Sequence, residues 1–221
     1  MVDKDFKVKR GLEVQDNALV RGNIQVVSST GVVSDLVDSN KTLEAIKYTD
    51  PDLVFHLAAE SHVDRSIKGP SEFINSNIIG TYNLLESLRN HYENLSQDRQ
   101  LFFKLIHIST DEVFGELGDS GYFSEASQYS PRSPYSASKA ASDHLVRAFN
   151  KTYGLPTTIT YSCNNYGPYQ HLEKLIPLTI YSYMNKKKMG IYGKGNQKRQ
   201  WIYVEDNTDA LMKVLESNFN G

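Results

Sequence analysis

The sequence predicts an α/β fold, a doubly wound parallel sheet, preceded by a short β-rich N-terminal appendage. Short apolar runs that suit buried strands alternate with longer amphipathic stretches that suit helices, the pattern of a sheet covered on both faces. Polar clusters stand at the carboxyl ends of three successive strand candidates, at 56–61, 109–112 and 162–168, where sheets of this kind place their ligands. Period-two alternation broken by turn residues sets residues 1–31 apart from the rest.

Taken in order, the leader holds three short strand candidates at 6–8, 12–14 and 24–26, separated by Arg10-Gly11, Asp16-Asn17 and Arg21-Gly22. The two Arg-Gly pairs make a weak internal repeat. From residue 32 the α/β pattern takes over and runs to 221. Residues 32–36 read as a strand end, and Ser39 as the cap of a helix over 40–48 with Glu44 and Lys47 on its wet side. Pro51-Asp52 turns into a buried strand over 53–59. A helix over 72–92 follows, its apolar stripe formed by Phe73, Ile74, Ile78, Leu84, Leu85 and Leu88. Residues 101–109 form the next strand. Pro134 opens a helix over 135–152, which Gly154 stops and Pro156 keeps stopped. A strand over 157–161 and helices over 172–187 and 205–217 complete the order.

Composition bounds the function. A formal charge of −2 with 23% charged residues suits no nucleic-acid surface. The start has no apolar signal core and no apolar run reaches membrane-spanning length, so no membrane partner is expected. The single cysteine, Cys163, suits a reducing compartment, and the expected location is cytoplasmic. Cys163 reads as a small buried side chain. The six histidines show no metal-ligand spacing, so no metal is expected. Lys186, Lys187 and Lys188 read as a solvated helix end.

The chemistry concentrates in two places. Tyr135 stands four residues before Lys139, so both share one helix face. There the ammonium is expected to favour the phenolate and lower a phenol that ordinarily titrates near ~10. Asp111 and Glu112 are adjacent carboxylates at a strand end, where a curling backbone lets both reach one ligand. Repulsion and burial should split their pKa values, giving an acid and a base from one residue class.

Long strings carry a resemblance. They are His56-Leu-Ala-Ala-Glu-Ser-His-Val-Asp-Arg-Ser66, His107-Ile-Ser-Thr-Asp-Glu-Val-Phe-Gly115, Ser133-Pro-Tyr-Ser-Ala-Ser-Lys-Ala140, Asn164-Asn-Tyr-Gly-Pro168, Glu173-Lys-Leu-Ile-Pro177 and Ile191-Tyr-Gly-Lys-Gly195. From about 33 to 216 the chain resembles the NAD-dependent epimerase/dehydratase family of extended short-chain dehydrogenase/reductases, nearest its nucleotide-sugar 4,6-dehydratases. The resemblance implies an incomplete Rossmann-like domain, NAD as cofactor and dTDP-glucose as substrate. It implies that Tyr135 removes the sugar 4-hydroxyl proton, that Lys139 holds the tyrosinate and bonds the nicotinamide ribose, and that Thr110 bonds the developing ketone. Glu112 would take the C5 proton and Asp111 would protonate the departing 6-hydroxyl. Asp35, Leu36, Leu57, Ala58, Ala59, Ser76 and Asn165 map to cofactor contacts. Ser61, Asn164, Lys174, Leu175, Tyr192 and Arg199 map to nucleotide-sugar contacts, Arg199 at the diphosphate. On their residues alone, Leu57 and Ala58 read equally as core, and Lys174 and Arg199 as surface charges. Helices 72–92 and 135–152 resemble those that pair two subunits, which implies a homodimer.

The match also has departures. The family's glycine-rich turn is absent, since Gly11, Gly22 and Gly31 have the wrong spacing and no following helix. Gly190 stands for a proline and Gln200 for an aspartate, and the chain stops at Gly221 ahead of the family's C-terminal portion. Weakened NAD binding is therefore expected. The leader resembles β-rich virion modules of phages, which leaves a non-catalytic virion-associated chimera as an alternative of another class. A sugar 4-epimerase is the enzymatic alternative, because it keeps the Tyr/Lys pair without needing Asp111 and Glu112.

Overall fold

A sheet forms where the sequence concentrates its continuous apolar runs. The computed structural model describes residues 24–27, 36–118, 120–191 and 195–217, and of 24–27 the backbone alone. The chain divides into two units, Met1–Tyr161 with Ser217–Gly221, and Ser162–Glu216.

The first unit is built on a four-stranded sheet in the order β1-β2-β3-β4, with β1 Ile24–Val27, β2 Leu53–His56, β3 Lys104–Thr110 and β4 Thr157–Ser162. β1 pairs in parallel with β2, Ile24 opposite Leu53, and β2 in parallel with β3, Leu53 opposite Lys104. Every residue of β2 is buried, as its unbroken apolar run requires of a central parallel strand. Ile24–Val27, grouped with the leader by its alternation, thus runs as an edge strand of this sheet. The strand candidates at 6–8 and 12–14 and the glycines at 11, 22 and 31 lie outside the described residues.

Helix α1, Ser39–Thr49, is capped by Asp38, whose carboxylate accepts from the main-chain N–H groups of Asn40 and Lys41. The cap therefore sits one residue before the expected Ser39. The strand expected over 53–59 ends at His56, and Leu57 to Ala59 leave the sheet. Two short helices follow, α2 Val63–Lys68 and α3 Pro70–Phe73. The single helix expected over 72–92 is instead α3, a π-helical stretch Ile74–Ile79 and α4 Gly80–Glu93. Leu101 and Phe102 do not open β3. They close the short helix α5, Gln97–Phe102, which Ser96 caps, and which Arg99 anchors by bonding Asp50 at 2.8 Å and Asp52 at 2.6 Å.

Helix α6, Pro134–Tyr153, begins at a capping box between Ser133 and Ser136 and ends at Gly154 in the left-handed conformation. It packs with α4 over the sheet. The core between them holds Ile46, Val54, Leu84, Leu85, Leu88, Leu105, Val146, Phe149 and Leu155.

The second unit holds a two-stranded parallel pair, β5 Asn164–Tyr166 and β6 Trp201–Tyr203, with helices α7 Leu175–Met184 and α8 Val204–Glu216. α7 is shorter than the expected 172–187, and Lys186 sits beyond it with a positive φ of 52°. No helix among the described residues is long and apolar enough to cross a membrane.

Candidate active site

The site residues of the first unit gather where β3 ends and α6 begins. Thr110 is the last residue of β3 and caps the 3₁₀ turn Asp111–Phe114, its hydroxyl accepting from the Glu112 N–H at 3.3 Å. That turn is what carries Asp111 and Glu112 away from the opposite-facing geometry of a regular strand. The Thr110 hydroxyl also donates to Asp111 Oδ1 at 3.3 Å. Gly115 ends the turn at φ 90°, and a Cβ there would meet the Ser130 carbonyl oxygen at 2.4 Å. Only glycine fits such a position.

Tyr135 lies in the first turn of α6, with its ring edge-on to Phe73 at 6.4 Å between centroids. Lys139, one turn on, is buried and donates to the Ile108 carbonyl at 2.8 Å. Thr110, Asp111, Glu112, Tyr135 and Lys139 are thus brought together. One expectation fails. The Tyr135 phenol is raised above its ordinary value, first by burial and then by the Glu112 carboxylate, and the nearby Thr110 side chain draws it down by less. Lys139 directs one N–H at a strand carbonyl, and desolvation itself draws its amine down to about 8. Burial outweighs the pairwise attraction that the spacing suggests.

The cofactor candidates fall into different settings. Leu57, just past β2, is 48% exposed, whereas Ala58 beside it is buried and Ala59 half-buried. Ser76 is half-buried in the π-helical stretch. Leu36 is buried in the core, its carbonyl held by Asn83 at 2.9 Å. Ser61 is exposed. Asp35 and Tyr192 lie outside the described residues. The remaining candidates belong to the second unit. Asn164 and Asn165 form β5, and Asn165 Oδ1 is buried with no hydrogen-bond partner. Lys174 stands 3.8 Å from Glu173, and Leu175 opens α7 with its side chain exposed. Arg199 is exposed and donates to the Lys198 carbonyl at 2.9 Å.

Behind these residues runs a buried polar network that the motifs do not announce. Asn77 donates to Ser138 Oγ at 2.9 Å and to the Glu60 carbonyl at 3.0 Å, and accepts from the Glu60 N–H at 2.8 Å. His56 and His107 meet through their Nδ1 atoms at 2.8 Å, and His107 Nε2 lies 3.1 Å from Asp143 Oδ1, close but off the line of a hydrogen bond. The one signal in the sequence is spacing, since Asp143 continues the four-residue steps of Tyr135 and Lys139.

A family model described as GDP-mannose 4,6 dehydratase matches residues 3–220. The chain belongs to this dehydratase family. Among curated members, a probable dTDP-glucose 4,6-dehydratase of Sinorhizobium fredii is 50% identical over 188 residues, 85% of this chain and 54% of that protein. The chain spans about half the length of the curated family members it matches. A solved dTDP-glucose 4,6-dehydratase of Streptomyces venezuelae, with NAD bound, is 40% identical with a TM-score of 0.76, covering 85% of this chain and 55% of that one. A UDP-glucuronic acid 4-epimerase of Bacillus cereus, in complex with UDP-glucuronic acid and NAD, is 30% identical with a TM-score of 0.73 over 85% of this chain and 55% of that one. Membership of the dehydratase family accords with a parallel sheet carrying polar strand ends.

Proposed function

We propose that this chain carries nucleotide-sugar 4,6-dehydratase chemistry, with dTDP-glucose as substrate and NAD as cofactor. The observation that carries the reading is the placing of Tyr135 beside two carboxylates that leave the end of β3 on a 3₁₀ turn capped by Thr110, near enough for Glu112 and Asp111 to act on its phenol. An epimerase needs the tyrosine but has no work for that pair.

The residues present fit NAD in part. An exposed leucine beside two alanines, all just past β2, leaves an apolar, sterically open strand end of the kind a nucleotide ring covers. Asn165 offers a buried, unpartnered carbonyl oxygen that suits an amide donor. In the first unit Leu57, Ala58, Ala59 and Ser76 would hold the group, with Leu36 on its adenine side, and Lys139 would reach its ribose; the resemblance adds Asp35 and Asn165. When bound, NAD supplies a reversible hydride acceptor for the sugar.

The chain's own groups move the protons. Tyr135 takes the proton of the sugar 4-hydroxyl, and Thr110 donates a hydrogen bond to the oxygen that becomes a ketone. Lys139 stabilises the tyrosinate. Glu112 removes the C5 proton, which the neighbouring ketone acidifies, and Asp111 protonates the 6-hydroxyl as it leaves as water. The resemblance assigns Ser61, Asn164, Lys174, Leu175, Tyr192 and Arg199 to the nucleotide sugar, with the Arg199 guanidinium for the diphosphate. A glycine-rich turn supplies several charge-assisted hydrogen bonds worth roughly 1.5–3 kcal/mol each, so residues 32–221 taken alone should bind NAD weakly. The reading includes a cytoplasmic homodimer that pairs through 72–92 and 135–152, with a doubled mass in sedimentation as its check.

Product analysis tests the assignment. Incubation with dTDP-glucose and excess NAD should yield a 4-keto-6-deoxy sugar nucleotide, lighter than the substrate by the mass of one water. A C4 epimer of unchanged mass, without the lighter product, would replace this reading with the epimerase.

A further inference from the structure

Four side chains recur at four-residue steps along one face of α6, Tyr135, Lys139, Asp143 and Arg147. The dehydratase reading gives work to the first two and none to Asp143, which is completely buried. Its Oδ2 accepts from Ser109 at 2.6 Å and from Tyr129 at 2.9 Å. Burial raises its carboxyl above the ordinary value, and the two hydroxyl donors on one oxygen, together with Lys139, pull it back toward the ionised form. A buried anion of this kind is costly unless a cation balances it.

The candidates for that cation can be taken one at a time. From β2 and β3 come His56 and His107, but a 2.8 Å contact between two Nδ1 atoms requires one of them to be unprotonated. One Nδ1 of the pair donates and the other accepts, so at least one of the two rings is neutral. Burial, which holds each well below the usual histidine range, keeps both neutral. Tyr129 and Tyr161, whose hydroxyls meet at 2.6 Å, contribute no positive charge. Arg147 is exposed, its guanidinium turns to the Tyr161 hydroxyl at 2.8 Å and over the Tyr129 ring, and it acts on Asp143 less than Lys139 does. Lys139 remains. It is buried one turn from Asp143, and its ammonium is bonded to a neutral carbonyl.

We propose that Asp143 is a positioning residue, the buried counter-ion that keeps Lys139 charged beside Tyr135, with Ser109 and Tyr129 holding the carboxylate in place. The idea rests on the dehydratase reading for what Lys139 does, but not for its charge. Among the charged groups around Lys139, Asp143 is the one that opposes its desolvation. The two form no direct ion pair, so the attraction acts across the short gap between turns rather than through a shared proton.

The test reads the charge of Lys139 itself, in the chain without substrate or NAD. With lysines labelled at ¹³Cε and the Lys139 signal assigned by its loss in Lys139→Met, the parent should titrate near about 8. Asp143→Asn should move that midpoint down by at least one unit, roughly tenfold in the proton equilibrium, and Asp143→Glu should restore most of the shift. An unmoved midpoint in folded Asp143→Asn overturns the proposal. If Asp143→Asn does not fold, the double variant Asp143→Asn with Lys139→Met decides, because removing the unbalanced cation should restore folding. A double variant that stays unfolded assigns Asp143 to the hydroxyl and histidine network alone and overturns the proposal. Neither readout depends on turnover, so failure here and failure of the dehydratase reading are separate results.

Discussion

Asn77 donates to Ser138 Oγ at 2.9 Å, joining the π-helical stretch to α6 at the residue just before Lys139. Ser138 in turn donates to the Tyr135 carbonyl at 2.7 Å. The same asparagine closes both hydrogen bonds of the Glu60 main chain, three residues past Leu57. One buried side chain thus ties the strand end proposed to bear the cofactor to the helix that bears the proton-transfer pair.

Asn77→Ala removes three hydrogen bonds and leaves the Glu60 main chain without those partners. Each bond contributes about 1 kcal/mol net, and a stranded buried group costs about 1–3 kcal/mol. The expected loss is about 2–4 kcal/mol, read as a lower urea midpoint. Asn77→Asp should lose a similar amount, since a carboxylate accepts from Glu60 N–H but donates to neither oxygen. A change below about 0.5 kcal/mol in both variants would show that the tie is not structural.

Lys139 gives the chain a signed pH dependence. Its midpoint falls from 10.5 to about 8 on folding. Below pH 8 both states hold the proton and the cost of the buried charge is present in full. Between about 8 and 10.5 the unfolded chain binds a proton that the folded chain lacks, so stability rises with pH. Full relief amounts to about 3 kcal/mol. The difference in unfolding free energy between the parent and Lys139→Met should therefore change by that order from about pH 7 to about pH 10.5, in favour of the parent. A difference independent of pH would mean that Lys139 titrates normally in the folded state.

Gly115→Ala tests the turn that presents the two carboxylates. A Cβ at φ 90° is strained, and its approach to the Ser130 oxygen at 2.4 Å forces the backbone to move. Ser130 N–H is itself bonded to the Val113 carbonyl at 2.9 Å, so the turn and the loop must shift together. The expected loss is about 2 kcal/mol or more in urea unfolding, accompanied by lower dehydration activity.

Much of this site is legible because its parts are local. Tyr135 and Lys139 share a face by spacing alone, and Asp111 and Glu112 are neighbours in the chain. Apolar runs find β2 and β3 because central strands are buried on both faces. What escapes is set by distance along the chain. The Asp143 carboxylate meets Ser109 across 34 residues, and His56 meets His107 across 51, and no window of sequence contains either pair. The raised Tyr135 phenol escapes for the same reason, since burial depends on Phe73 and β3 rather than on the helix that carries the pair. β5 and β6 are three residues each, too short for any periodicity to register.

The sharpest division of labour lies between Tyr135 and the carboxylates that follow Thr110. If the chain turns over, even feebly, Tyr135→Phe should abolish oxidation at C4, because the ring keeps its place against Phe73 but loses the oxygen that accepts the 4-hydroxyl proton. No reduced-cofactor absorbance should then appear on mixing with dTDP-glucose and NAD. Asp111→Asn and Glu112→Gln should instead spare that first step, since their work begins only once the ketone exists. Elimination should slow by about 10²–10⁴-fold, the usual contribution of one positioned acid or base. Both carboxamides keep the shape of the parent side chain. In Asp111→Asn the amide carbonyl oxygen can still accept from the Thr110 hydroxyl, so the 3₁₀ turn should persist. Reduced cofactor should therefore accumulate in the carboxamide variants before product forms. A carboxamide variant that loses water at the parent rate would exclude the paired-carboxylate mechanism for this chain.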